Sequence, residues 1–134
     1  MITVTGGNGG VMAAVSEGAS RNGGFVMGIL PSGDRNGANL HCSLYVPTGF
    51  GYARGQIMTN MVHGGIAIEG GLGTSEEVGQ MYWHKKPIVA IASTGGTAAA
   101  TAGRVLDARN HPPVLSAESA EEAVSLLMSR LQQV

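Results

Sequence analysis

The sequence predicts an α/β protein whose strands form a mostly parallel sheet with helices on both faces. Short apolar runs alternate with stretches in which apolar residues recur at helical spacing. Several of the runs are continuously apolar, which is typical of strands buried on both sides. Glycine makes up 22 of the 134 residues and gathers directly after the apolar runs. No linker composition interrupts the sequence, so we expect one domain over residues 1–134.

The first half of the chain is predicted to alternate strands, glycine-rich turns and helices. Apolar residues recur at helical spacing from Val11 to Ala19, and an almost continuous apolar run stops at Pro31. The predicted elements are a strand at 2–5, a helix at 11–19, a strand at 25–30, a short strand at 44–46 and a helix at 52–62.

The second half repeats this alternation. Lys85, Lys86 and Pro87 are expected to end a helix, and Ser119 followed by Glu122 is the pattern of an N-cap with a glutamate three residues later. The predicted elements are a strand at 65–69, a helix through 78–83, a strand at 88–92, a helix at 98–106, a short strand at 114–115 and a closing helix after 119.

Charge and composition exclude several classes of protein. The net charge of -1 offers no general attraction to nucleic acid or to an anionic membrane. A single cysteine, Cys42, excludes an internal disulfide framework, and no apolar run approaches the ~18 residues of a membrane span. The histidines lack ligand spacing; they are His41, His63, His84 and His111. We therefore expect a cytoplasmic protein that binds no nucleic acid, membrane or metal ion.

Glycine clusters follow three predicted strands, at 6–10, 70–74 and 93–97, which we name the first, second and third glycine loops. Such loops let a ligand approach the backbone and direct N–H groups at an anion, so phosphate is the expected ligand. The Walker A pattern is absent, because the only lysines, Lys85 and Lys86, lie far from any glycine loop. The full G-x-G-x-x-G spacing of dinucleotide-binding proteins is not met either. For any single loop, a tight turn that needs glycine for steric reasons alone is an equally good interpretation.

The second glycine loop carries the most information. Thr74 is predicted to cap a helix whose first turn contains Glu76 and Glu77. Capping alone explains these residues, and a ligand site explains them as well. Adjacent helical residues point about 100° apart, so one carboxylate can face a ligand while the other faces solvent or a neighbouring helix.

The stretch Gly70-Gly71-x-Gly73-Thr74-x-x-Glu77 resembles the signature of the Lonely Guy (LOG) family, whose members often carry the label "possible lysine decarboxylase". Further resemblance to the family lies at 5–12, 23–31, 52–54 and 86–89, and so covers nearly the whole chain. It implies a Rossmann-like three-layer sandwich with a mostly parallel sheet. The likeness begins at the family's second strand, so we expect the first strand and helix of the family to be lacking.

Characterised members of that family are phosphoribohydrolases, which cleave the N-glycosidic bond of a nucleoside 5'-monophosphate to free base and ribose 5-phosphate. The resemblance implies that Arg54 binds the phosphate or stabilises the reacting ribose and that Glu77 orients or activates water, a role that suits a carboxylate. The residues that it implies for phosphate or nucleotide binding are Gly7, Gly10, Gly70, Gly71, Gly73, Thr74 and Glu76. The alternative is a module that binds a nucleotide or nucleotide derivative without turnover.

The decarboxylase label implies pyridoxal phosphate, for which only Lys85 and Lys86 could form a Schiff base. Both precede a strand at a helix end, so we expect no cofactor. Met81 is expected to pack in the core or at a helix–helix interface, and an apolar patch that it forms with Tyr82 and Trp83 is the other interpretation. Family members commonly pair through these helices, so the resemblance implies a homodimer or a higher homo-oligomer.

Two further sites stay open on the sequence alone. His41 beside Cys42 is a weak nucleophile pattern, against which an inert, partly buried thiol is the main alternative. Arg35 is either a second phosphate contact or a solvated loop arginine.

Overall fold

The computed structural model describes residues 1–109 and 112–133. Contacts divide the chain into two compact units, Met1–Met61 and Val62–Val134, and each unit holds a three-stranded sheet whose strands all run parallel. The predicted α/β fold with parallel strands is thereby confirmed. Within the described ranges, no helix is long and apolar enough to cross a membrane. One of the four histidines, His111, lies outside the described residues.

The first unit follows the predicted order closely. Its helix near residue 52 begins with a short 3-10 turn, Gly51–Ala53, before the α-helix proper. The elements are β1 (Ile2–Thr5), α1 (Val11–Arg21), β2 (Phe25–Leu30), β3 (Leu44–Pro47) and α2 (Arg54–Met61).

β2 is the central strand of this unit, between β1 and β3. Val26, Ile29 and Leu30 are fully buried in it, which explains why the apolar run is almost continuous. α1 contacts β1 and β2, and α2 contacts β2. In register, Thr5 at the end of β1 lies opposite Gly28, so the first glycine loop leaves the sheet beside a residue without a side chain.

The second unit contains the second and third glycine loops. A 3-10 turn, Ala92–Thr94, separates its central strand from the following helix. The elements are β4 (Gly65–Ile68), α3 (Leu72–Trp83), β5 (Ile88–Ile91), α4 (Gly96–Thr101), β6 (Leu115–Ala117) and α5 (Ala120–Gln132).

Alternate residues of β5 enter two separate apolar cores, one on each face of the sheet. Ile88 and Ala90 pack with residues of α3 and α4, whereas Val89 and Ile91 pack with α5 and the opposite faces of β4 and β6. All four of these β5 residues are buried. The second unit is therefore built in three layers, with α3 and α4 on one face of the sheet and α5 on the other.

Two helix ends test the sequence rules. At α5, Ser119 Oγ accepts the Glu122 N–H at 3.1 Å and Glu122 Oε2 accepts the Glu118 N–H at 2.7 Å, so the predicted N-cap is confirmed. The prediction of a helix at 98–106 is wrong beyond Thr101, where α4 ends. There the chain turns away, because the Gly103 N–H donates to the carbonyl of Val114 at 2.8 Å.

Candidate functional site

The second glycine loop connects β4 to α3. α3 begins at Leu72, and its N-cap is Gly71, which has no side chain with which to cap the helix. The predicted capping role of Thr74 is wrong, because Thr74 is the third residue of the helix. Its side chain instead packs against Gly70, where a Cβ would come within 2.4 Å of Thr74 Oγ1. Gly70 also has a φ of +92°, so both its conformation and its surroundings require glycine.

The first turn of α3 contains no acidic residue. The prediction that Glu76 and Glu77 lie in this turn is wrong, since the earlier start of the helix moves both into the second turn. First-turn N–H groups have no acceptor within their own helix and form the positive end of its dipole. Gly71 and Leu72 are exposed. An anion can therefore approach this turn without facing a carboxylate in the turn itself.

The two glutamates of α3 have different surroundings. Glu76 is exposed and accepts a hydrogen bond from Gln80 Nε2 at 3.1 Å. Glu77 is half-buried and lies three residues after Thr74 and four after Gly73, which places it on the same face of the helix as both. Glu76 has the same spacing from Gly73 and Leu72, so the two carboxylates differ in burial and not in their distance from the first turn.

The third glycine loop holds the second one in place. The Thr97 N–H donates to the Gly70 carbonyl at 2.9 Å, and Thr97 Oγ1 donates to the Gly71 carbonyl at 3.0 Å. The Ala98 N–H donates to the Glu69 carbonyl at 3.0 Å. These two N–H groups are therefore engaged by the Gly70 and Glu69 carbonyls and do not point at an anion. The sequence did not predict this role of Thr97, because its partners lie 26 and 27 residues away in the chain.

Thr94 makes a second connection between the two loops. Its Oγ1 donates to the Ile91 carbonyl at 2.6 Å and accepts the Glu69 N–H at 2.8 Å. Glu69 has a φ of +50°, in the left-handed region that non-glycine residues rarely adopt. The hydroxyl of Thr94 therefore fixes the residue at which the chain leaves β4.

In the first glycine loop, which belongs to the first unit, close packing requires glycine at position 7. A Cβ on Gly7 would lie 2.5 Å from Leu30 Cδ2, and Gly7 has a φ of +77°. Its N–H donates to Thr5 Oγ1 at 3.2 Å. Gly10 is different, because it is exposed, has open space around its α-carbon and serves as the N-cap of α1. Close approach of a ligand is therefore sterically open at Gly10 and not at Gly7.

Arg54, the predicted catalytic arginine, also belongs to the first unit. It is the first residue of α2 and is half-buried. A Cβ on Gly6 would lie 2.6 Å from Arg54 Nη1, and Arg54 Nη2 lies 3.9 Å from Met12 Sδ. The guanidinium thus packs directly on the backbone of the first glycine loop. Glu77, the predicted catalytic carboxylate, belongs to the second unit.

The sequence raised two further candidates in the first unit, at Cys42 and Arg35. Cys42 Sγ lies 3.6 Å from Asn39 Oδ1 and 3.8 Å from Ser16 Oγ, whereas His41 Nε2 lies 4.0 Å from a carboxylate oxygen of Glu17. These contacts favour the inert thiol. The Arg35 guanidinium lies 4.0 Å from the centre of the Tyr45 ring.

Of the two interpretations of the end of α3, packing in the core is the one that the structure supports. Met81 and Tyr82 are buried in the core of the second unit, and Trp83 alone is exposed, with the Arg109 guanidinium 4.8 Å from its ring centre. Across residues 1–109 and 112–133, no three His, Cys, Asp or Glu side chains gather where they could hold a metal ion.

Comparison with known protein families assigns the chain to one of them. The profile of the SLOG cluster4 family matches residues 1–124, and the chain belongs to that family. The family assignment confirms the resemblance that the second glycine loop predicts. An uncharacterized protein of Archaeoglobus fulgidus is 35% identical over 77 residues, which are 58% of this chain and 50% of the relative. The chain thus spans about half the length of that curated relative.

Three solved structures share the fold. The X-ray structure of TM1055 superposes with a TM-score of 0.88 at 30% identity and covers 96% of this chain and 78% of its own. The molybdenum cofactor binding protein of Rippkaea orientalis gives 0.78 at 27% identity and covers 97% and 77%. The molybdenum cofactor carrier protein of Chlamydomonas reinhardtii gives 0.79 at 29% identity and covers 99% and 79%.

Proposed function

We propose that the chain binds a phosphorylated small molecule, a nucleotide or a nucleotide derivative, with its phosphate on the first turn of α3. The observation that carries the proposal is the N-terminus of that helix, where the N-cap residue Gly71 has no side chain and no acidic residue lies within the first turn. N–H groups and the helix dipole favour phosphate at such a position. The SLOG cluster4 family and the molybdenum cofactor proteins among similar structures support a ligand of this kind.

Hydrolysis of nucleoside 5'-monophosphates is the finer form of this proposal. In it, Glu77 orients or activates the attacking water, and Arg54 binds phosphate or stabilises the reacting ribose. The half-burial of Glu77 and its position one turn after Thr74 support the first role. The contact of the Arg54 guanidinium with the first glycine loop supports an anion-binding role within its own unit.

A second candidate ligand is the molybdenum cofactor, bound as cargo. Two similar structures that cover nearly all of this chain are described as a binding protein and a carrier protein for it. Because the pterin of that cofactor carries a phosphate group, the first turn of α3 suits it as well as it suits a nucleotide.

Phosphate binding is tested by placing a charge in the turn. Leu72 is the first residue of α3 and is 85% exposed, so Leu72→Asp adds a carboxylate beside the proposed phosphate. An acid in the first turn stabilises the helix, and we expect the variant to unfold at or above the wild-type temperature. We expect its affinity for inorganic phosphate and for AMP to fall about tenfold, since like charges a few ångströms apart repel by ~1 kcal/mol or more.

Leu72→Asn is the matched control, because it has the same shape without the charge. We expect it to bind phosphate and AMP like the wild type in isothermal titration calorimetry. Wild-type protein that binds neither AMP nor phosphate nor the molybdenum cofactor would overturn the proposal. Equal affinities of Leu72→Asp and Leu72→Asn for phosphate would show that phosphate does not bind at the first turn of α3.

Turnover is tested separately from binding. The protein is incubated with AMP and a panel of other nucleoside monophosphates, and free base is measured by chromatography. Release that disappears in Glu77→Gln, with AMP binding retained, supports hydrolysis. Binding of AMP without release of free base would support the alternative, a module that binds a nucleotide without turnover. Competition between AMP and the molybdenum cofactor then decides whether both occupy one site.

A further inference from the structure

Three consecutive carbonyls accept hydrogen bonds from Thr97 and Ala98. They are those of Gly70 and Gly71 in the second glycine loop and that of Glu69, which directly precedes the loop. Thr97 supplies two of the three donors, its N–H and its hydroxyl, and is only 8% exposed. Gly96 allows this close approach, because a Cβ there would lie 2.4 Å from the Gly70 oxygen.

The hydroxyl of Thr97 has a direct geometric consequence for the turn that begins α3. A peptide unit is planar and trans, so its N–H points opposite to its C=O. Fixing the Gly71 carbonyl therefore fixes the direction of the N–H in the same unit, that of Leu72. By the same geometry, the bond from the Thr97 N–H to the Gly70 carbonyl directs the Gly71 N–H.

The carbonyls themselves are also removed from the ligand side of the loop. A carbonyl oxygen carries partial negative charge and would repel phosphate if it turned toward it. The Gly71 carbonyl accepts from both Thr97 Oγ1 and the Ser75 N–H at 2.9 Å, so both of its lone pairs are engaged. The carbonyls of Gly70 and Gly71 are thus both directed at Thr97.

We propose that Thr97 is a positioning residue for anion binding: its hydroxyl orients the Gly71–Leu72 peptide so that the first turn of α3 receives a phosphate group. This inference rests on the proposed function, and it concerns a residue outside the Gly70 to Glu77 signature. Thr97 does not contact the ligand and acts through the second loop.

The test is a titration of the ¹⁵N-labelled full chain with inorganic phosphate, followed by the amide shifts of Gly71, Gly73 and Thr74. Thr97→Val keeps the shape of the side chain and removes the hydroxyl, and we expect it to weaken the phosphate Kd by about fivefold, the effect of one hydrogen bond. Thr97→Ser restores the hydroxyl, and we expect it to recover most of the wild-type affinity.

Thr101→Val is the matched control for stability. Thr101 Oγ1 donates to the Thr97 carbonyl at 2.8 Å within α4, so this variant loses a comparable hydrogen bond that does not reach the second loop. We expect it to lower the melting temperature without changing the phosphate Kd. The same Kd in Thr97→Val as in wild type, with wild-type shifts at the first turn, would overturn the inference and leave the proposed function standing. No shift at these amides in the wild type, with no binding of AMP or the molybdenum cofactor, would overturn both.

Discussion

The α-carbon of Gly96 lies against the carbonyl oxygen of Gly70, so closely that a Cβ on Gly96 would come within 2.4 Å of that oxygen. Gly96 also has a φ of +54°. The close approach joins two loops that follow different strands, and it makes Gly96 a residue on which the shape of the second glycine loop depends.

Gly96→Ala is therefore expected to be strongly destabilising. The methyl group meets backbone atoms that cannot rotate away, and the left-handed conformation adds strain, so we expect a loss of ~3 kcal/mol or more in urea unfolding. Gly103→Ala is the control, because Gly103 has a φ of +73° but open space around it. It should lose only ~1 kcal/mol, the cost of the conformation. Equal losses in the two variants would contradict the steric argument.

Lys85→Gly is expected to stabilise the protein. Lys85 has a φ of +58° and follows the C-cap of α3, where its N–H donates to the Tyr82 carbonyl and the Lys86 N–H donates to the Met81 carbonyl, both at 3.0 Å. This is the Schellman pattern, in which glycine is the preferred residue. We expect a gain of ~1 kcal/mol, measured as a higher melting temperature. Lys86→Gly, one residue later, should lower the melting temperature, and a loss in both variants would be the contrary result.

Thr5→Val tests the support of the first glycine loop. The Ser16 hydroxyl donates to the Met12 carbonyl, so the Thr5 hydroxyl donates to Ser16 Oγ at 3.1 Å while Thr5 Oγ1 accepts the Gly7 N–H. Valine keeps the shape but leaves the Gly7 N–H without this acceptor, and we expect a loss of ~1–3 kcal/mol.

Thr3→Val is the control for that substitution. Thr3 lies on the same face of β1, two residues earlier, and valine favours strands. Its unfolding free energy should stay within ~0.5 kcal/mol of the wild type. A similar loss in both variants would assign the effect to the strand and not to the loop.

Ser119→Ala tests the N-cap of α5. The variant removes the acceptor of the Glu122 N–H, and we expect a loss of ~1 kcal/mol in thermal or urea unfolding. Ser129→Ala, at an exposed position inside the same helix, should be neutral or slightly stabilising because alanine is the better helix former. Unchanged stability in Ser119→Ala would show that the cap contributes little to this unit.

The strands were predictable because each is marked by a local pattern. The run at 25–30 is almost continuously apolar and the run beginning at 88 is fully so. Both form the central strands of their sheets, covered on two faces. Ser119 also acts locally, three residues from its partner, so its role could be inferred from spacing alone.

The errors arose where a residue's role is set by distant parts of the chain. Thr74 lacks a capping role because α3 already begins at Leu72. Thr97 acts on residues 26 and 27 positions away. α4 is short because Gly103 pairs with Val114, across a loop that no local pattern describes. Such contacts follow from the folded backbone, and hydrophobic spacing contains no information about them.

The hydrogen bonds that join the two loops also provide a way to follow ligand binding by hydrogen exchange. The amide hydrogens of Thr97 and Ala98 are held by the carbonyls of Gly70 and Glu69, so they exchange with deuterated solvent only when these two segments separate. A ligand that settles on the second loop makes that separation rarer. We therefore expect the exchange rates of these two amides to report occupancy of the proposed phosphate site, without any label on the ligand.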